Sequence, residues 1–363
     1  MFCVGSLANA QSPKPADAIA LEQQGRLAEA EKAWTQIVQQ SPRDAAALAS
    51  LGVVLSKQEK YAQAATAYRK ALALNPKLPG IRLNLGLAEF KQGHFQTAIP
   101  PLNSVLAADA SNMQARTLLG LSYYGAKQYA KAIKYLEVSA RADPSNNELH
   151  RVLAQSCLWA KQYECALSEF RQIIKQNPDS AAAHILAAEA LDAMDRRNEA
   201  IAEFQEATKA SPAPPDAHFG LGYLYWKSHQ YEGARREFEA ELAADPKHAQ
   251  SLAYLGDIEI KEKDPEKALT YLQKAVTLQN DIHIAHVDIG IILMDQKKYR
   301  DAEAAFRRAV EVDPGKADAH YRLARLYQST GNNSAAQKEF ETVRRLNEKE
   351  DESVASKMPG TPR

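Results

Sequence analysis

Nine histidines and three cysteines are the side chains of this 363-residue sequence best suited to hold a metal or exchange electrons. Five of the histidines (His150, His184, His218, His286 and His320) share one register, 34 residues or a multiple of 34 apart. Two ligands of one zinc each lie about 2 Å from the ion, hence only a few ångströms from one another. Side chains on successive stacked helices are about 10 Å apart or more. The column is therefore expected to consist of packing imidazoles, each with one hydrogen bond. His283 and His286 stand at i and i+3 and share a helix face, but no Glu-x-x-His set accompanies them. Cys157 and Cys165 are expected to be two small buried hydrophobes; a disulfide would need their Cα atoms within about 7 Å. Phe219-Gly-Leu-Gly-Tyr is glycine-rich, yet no strand pattern precedes it, as a phosphate loop requires. No Gly-x-Ser-x-Gly, Walker lysine or His-Glu-x-x-His motif occurs. The expectation is a non-enzyme with no catalytic, cofactor or metal site.

Composition narrows the classes further. Lys and Arg total 45, and Asp and Glu total 45, so the formal net charge is zero. A chain-wide basic character, the footprint of nucleic-acid binding, is missing, and no nucleic-acid partner is expected. No run of 18 apolar residues encodes a membrane-spanning helix. Three cysteines are too few for a disulfide scaffold.

The elements that carry these side chains are set by a period. Pro42, Pro76, Pro144, Pro178, Pro212, Pro246 and Pro314 are 34 residues or a multiple of 34 apart. Alanine fills the column Ala30, Ala64, Ala98, Ala132, Ala166, Ala200, Ala234, Ala268, Ala302 and Ala336. A second column is always small: Gly52, Gly86, Gly120, Ala154, Ala188, Gly222, Gly256, Gly290 and Ala324. A third is large: Trp34, Tyr68, Leu102, Leu136, Phe170, Phe204, Phe238, Leu272, Phe306 and Phe340. Within one unit, Leu48, Leu51 and Leu55 and then Ala64, Ala67, Tyr68 and Ala71 recur at helical spacing, which predicts two amphipathic helices. Small residues let the two helix backbones approach closely, and the proline column ends the second helix.

These columns resemble the tetratricopeptide repeat (TPR) over ten units from Gln11 to Glu350 (11–44 to 317–350). Pro13 and Pro15 confine the opening helix to roughly Ala16–Gln24. The resemblance implies an all-α solenoid of stacked antiparallel helix pairs. It also implies that the first helix of each pair lines a concave face on which a peptide or helix of a partner lies. Positions five, nine and twelve of each unit would face inward: Leu83, Leu87, Phe90; Thr117, Leu121, Tyr124; Arg151, Gln155, Leu158; Ile185, Glu189, Asp192; Phe219, Tyr223, Trp226; Ala253, Asp257, Ile260; Val287, Ile291, Met294. Trp159 lies beside this row. The aromatic groups favour interface anchoring, and an apolar partner segment is expected around Phe219, Tyr223 and Trp226. The lysines and asparagines of carboxylate-clamp TPRs are missing, since Leu83, Leu87, Thr117 and Leu121 occupy those slots. The asparagine ladder of the glycosyltransferase-linked array is missing too.

Residues 1–10 end in Ala8-Asn9-Ala10, a small-x-small pattern like the end of a secretory signal, so export is expected, with a cytoplasmic location otherwise. Residues 351–363 are expected to be disordered. The functional expectation is a protein-interaction scaffold. The alternatives are an assembly subunit of a bacterial envelope secretion or polysaccharide-export complex, or the repeat region of a longer enzyme.

Overall fold

The computed structural model describes residues 13–355. The leader at 1–10 and the last part of the expected tail, 356–363, lie outside the described residues. Helix is the one regular structure among the described residues, and the chain divides after Pro178 into two compact units. Unit 1 holds α1 (Pro15–Gln23), α2 (Leu27–Gln40), α3 (Ala45–Lys57), α4 (Tyr61–Leu74), α5 (Ile81–Lys91), α6 (Phe95–Ala108), α7 (Met113–Gly125), α8 (Tyr129–Ala142), α9 (Asn147–Trp159) and α10 (Tyr163–Gln176). Unit 2 holds α11 (Ala181–Ala193), α12 (Arg197–Ala207), α13 (Ala217–Lys227), α14 (Tyr231–Ala244), α15 (Ala249–Lys261), α16 (Pro265–Leu278), α17 (His283–Asp295), α18 (Tyr299–Val312), α19 (Ala317–Ser329) and α20 (Asn333–Ala355). In each unit every odd helix packs on the even helix after it, and that helix packs on the next odd one.

The small and large columns are the two sides of one contact. A Cβ on Gly52 would come within 2.5 Å of the Tyr68 ring, on Gly120 within 2.7 Å of Leu136, and on Gly222 within 2.8 Å of Phe238. The large residue of the second helix thus lies flat against the backbone of the first. Tyr68, Phe170, Phe238 and Phe306 are fully buried there. Such contacts set the helix spacing inside each pair.

Between the two helices of every pair one residue takes the left-handed conformation. These positions are Gly25, Glu59, Gly93, Lys127, Lys161, Asp195, His229, Lys263, Lys297 and Gly331. The Lys60 N–H then donates to the Leu55 carbonyl at 2.9 Å and the Glu59 N–H to Ser56 at 3.0 Å, the paired bonds that close a helix C-terminus. Only three of the ten are glycine, so the column is hidden from composition.

Two expectations need correction. Cys157 and Cys165 form a disulfide, with Cα atoms 5.8 Å apart. The left-handed turn at Lys161 brings the last turn of α9 beside the first turn of α10, and the two thiols stand at matching heights. Replacing both by alanine is expected to lower the unfolding free energy by about 2.5 kcal/mol, the chain-entropy value for so short a loop. Urea titrations with and without reductant check this: reductant should shift the wild-type midpoint and leave the variant unmoved. The second correction is at the far end. α20 continues to Ala355, beyond position 350, where the tail was expected to lose order. Glu348, Lys349, Glu350, Glu352 and Ala355 are good helix formers, and no helix breaker occurs before Pro359.

Candidate functional site

The repeat is broken once in unit 2, and the break makes a cavity. Pro212 belongs to the proline column, but Pro214 and Pro215 follow it. A residue before proline avoids the α conformation. At this joint α12 has 11 residues where α14 has 14, and α13 starts only at Ala217. Asp216 precedes α13 in the left-handed conformation and gives no side-chain cap. Glu241 of α14 supplies the missing acceptor: it takes the Asp216 N–H at 3.2 Å and the Phe219 N–H at 3.0 Å. This fixes Phe219 at the rim of a cavity of about 750 Å³. Ile185, Glu189 and Asp192 of α11, Phe204, Phe219 and Tyr223, and the polar groups of Asp216, Asp245, Lys247 and His248 line it.

The aromatic wall is continuous with the core. Phe219 lies 5.8 Å from Phe238 and 4.9 Å from His248 between ring centroids. Tyr223 lies 5.6 Å from Tyr254 of α15. Burial, followed by the charges of Tyr223, Asp257 and Asp288, pushes the Tyr254 phenol far up. Burial and then Asp257 also push Asp288 well above the ordinary carboxylate range, and its Oδ2 has no hydrogen-bond partner.

The residues expected to face inward divide into several sites. In unit 2, Ile185, Glu189, Asp192, Phe219 and Tyr223 share the cavity. Trp226 turns away from it. Its Nε1–H donates to Asp257 Oδ2 at 2.5 Å and its ring meets Tyr254 edge-on at 4.9 Å, so it joins α13 to the next repeat. Ile260 is half-buried against the core around Leu252 and Leu272. In unit 1, Leu87 and Thr117 line a smaller cavity of about 440 Å³, and Thr117 donates to Ser139 at 2.9 Å. Phe90 packs edge-on against Phe95; Leu83 and Leu121 are half-buried. Tyr124, Arg151, Gln155 and Trp159 form a third group. Tyr124 donates to Gln155 at 2.7 Å, Arg151 donates to the same oxygen at 3.1 Å, and Tyr124 stacks on Trp159. Trp159 is 52% exposed.

Three profiles match the sequence, two described as tetratricopeptide repeat and one as TPR repeat. The first matches residues 158–221 and 293–358, the second 83–147 and 219–281, and the third 55–93. With paired helices in the same 34-residue register, these matches decide the family. The chain is a tetratricopeptide repeat protein. No curated protein matches its sequence. A solved chain of the APC/C hetero-tetramer Cut9–Hcn1 is 12% identical, with 91% of this chain and 79% of that chain covered and a TM-score of 0.53, a likeness of fold. YrrB, described as a TPR protein with an unusual peptide-binding site, is 26% identical over 52% of this chain and 97% of its own, with a TM-score of 0.38. Yeast Tom70 is 14% identical over 91% of each chain, with a TM-score of 0.43.

In this TPR protein the histidine column has a partner column that the sequence reading missed. His150, His184, His218 and His320 meet Glu169, Glu203, Glu237 and Glu339 through Nδ1 at 2.5–2.8 Å. The glutamates share the histidines' 34-residue period, and that was the available signal. At His286 the matching position is Ala305; the ring turns to the Asn280 carbonyl at 3.0 Å, and burial lowers its pKa. The ring nitrogens of His283 face the Ala309 carbonyl and the Asp318 carboxylate. Each of these rings thus has a structural partner. Asp216, Glu241 and His248 are near enough to share a cation. Their bonds have another use: Glu241 caps α13, and His248 accepts the Ser251 N–H while donating to Asp216 at 3.0 Å. Together they brace the irregular loop. Among the described residues no helix is long and apolar enough to cross a membrane.

Proposed function

We propose that this TPR protein holds a segment of a partner protein in the cavity between α11, α13 and α15. The TPR fold supports a protein-interaction scaffold in general, and this fold is typically non-catalytic. The observation that carries the finer reading is the cavity itself. It is large enough for several side chains, it follows the first-helix positions, and Phe219 and Tyr223 offer it aromatic surface. Aromatic residues in such settings are favoured binding anchors.

Tyr223→Ala is expected to weaken partner retention at least tenfold, a loss of about 1.4 kcal/mol or more, while Tyr223→Phe retains it. Quantitative mass spectrometry of affinity-captured proteins, with circular dichroism to confirm equal helix content, measures both. An unchanged captured set for Tyr223→Ala would remove the cavity from the binding surface. The Cys157–Cys165 bridge supports a second, narrower reading, since disulfides persist in oxidising compartments. In that reading the protein is exported and serves as a subunit of an envelope complex. Obligate, stoichiometric co-purification with other subunits would distinguish it from a transient scaffold.

A further inference from the structure

We propose that the unit 2 cavity recognises a basic side chain, arginine or lysine, that the partner segment carries among apolar residues. The proposal rests on the reading of this cavity as the partner site and names the chemistry of the anchor. Four carboxylates, Glu189, Asp192, Asp216 and Asp245, line the cavity against one ammonium, Lys247. The carboxylates differ in how they are already used. Asp192 accepts from Lys227 Nζ at 2.9 Å, Asp216 from His248, and Asp245 from the Lys247 N–H at 3.0 Å. Glu189 has no hydrogen-bond or ion-pair partner among the described residues. Partial desolvation and then the charge of Asp216 push its carboxyl up, and the residue is exposed, open to an incoming cation.

The aromatic wall suits the same ligand. A ring face attracts a cation, by about 0.5–2 kcal/mol according to how dry the site is. The protein's own Lys227 shows the arrangement. Its ammonium lies 5.9 Å from the centre of the Tyr223 ring while it bonds Asp192. Glu189, Phe219 and Tyr223 line the same space and offer a second cation the same combination of carboxylate and ring. An apolar anchor would leave Glu189 facing it without a partner, and an acidic one would meet repulsion from Glu189 and Asp216. Complementarity of this kind selects the partner more than it raises affinity.

The test uses the full chain and arrays of 12-residue peptides. The central residue is fixed as Arg, Lys, citrulline, Leu, Phe or Glu, and the flanks are randomised among apolar and small residues. Arg and Lys pools are expected to be retained at least tenfold better than the citrulline pool, which has nearly the shape of arginine without its charge. Glu189→Gln should erase that preference, with circular dichroism showing equal helix content. Equal retention of Arg and citrulline pools, or a preference for Arg that survives Glu189→Gln, overturns the proposal. If Leu or Phe pools are retained best and are lost with Tyr223→Ala, the cavity is a partner site with an apolar anchor; this inference falls and the proposed function stands. If no pool is retained above background, both fall.

Discussion

Phe238→Ala is expected to destabilise unit 2 by about 3–5 kcal/mol, the range for emptying a buried phenylalanine site. Phe238 is fully buried. Its ring lies against Gly222 of the partner helix and meets Phe219 and Tyr254, at 5.8 and 5.5 Å. Its removal opens a void between α13 and α14 and also withdraws the support of the cavity's aromatic wall. In a repeat array each unit leans on its neighbours, so the loss should register first in α13–α16. Urea titration together with amide hydrogen exchange in those helices measures it. Phe238→Leu is the discriminating control. Leu102, Leu136 and Leu272 occupy the same column opposite glycine, so leucine, which leaves a smaller void, is expected to cost clearly less than alanine. Equal losses for alanine and leucine would show that packing against Gly222 does not control this joint.

Arg235→Ala is expected to cost about 3 kcal/mol at neutral pH, the low end of the range for breaking a buried ion pair. Glu259 of α15 is buried, with a side chain 3% exposed, and bonds Arg235 of α14. Lys267 of α16 reaches the same carboxylate at 2.7 Å. Burial alone would push the Glu259 carboxyl up, but the hydrogen bonds from Arg235 and Lys267 outweigh it and hold it below the usual carboxylate range. Lys267 remains in the variant, which is why the low end applies. The sign with pH follows. A carboxyl whose folded pKa is depressed stabilises the fold fully above its unfolded pKa, about 4.3 for glutamate. That stability is lost as the pH falls through the lower folded value. The gap between wild type and Arg235→Ala should therefore be widest at pH 7 and close in strongly acidic solution. A gap independent of pH would assign the loss to the packing of the arginine stem instead.

The functional reading depends on where repetition fails. Where the period holds, as between α14 and α15, the second helix ends at Ala244 and the next first helix begins at Ala249. Where Pro214 and Pro215 lengthen one joint, Glu241 and His248 are recruited to brace it. The resulting cavity brings Glu189 of one repeat and Tyr223 of the next into the same space. The proposed partner site thus lies at a local departure from the period.

The sequence by itself determined the paired helices, their number and their close joints. Each pair is buried against its neighbours in the same way, so the same side-chain sizes must recur at the same spacing; Gly222 opposite Phe238 is one instance of a rule repeated along the chain. It also named the first-helix positions expected to face inward. Only the tertiary structure decided where each of those side chains goes. Trp226 and Tyr223 are three residues apart on one helix, yet one ties α13 to Asp257 and the other opens onto the cavity. The bridge between Cys157 and Cys165 depends on a left-handed turn at Lys161, a residue with no intrinsic preference for it. Periodicity reports what every repeat has in common; the positions of single side chains around an irregular loop depend on distances that no period carries.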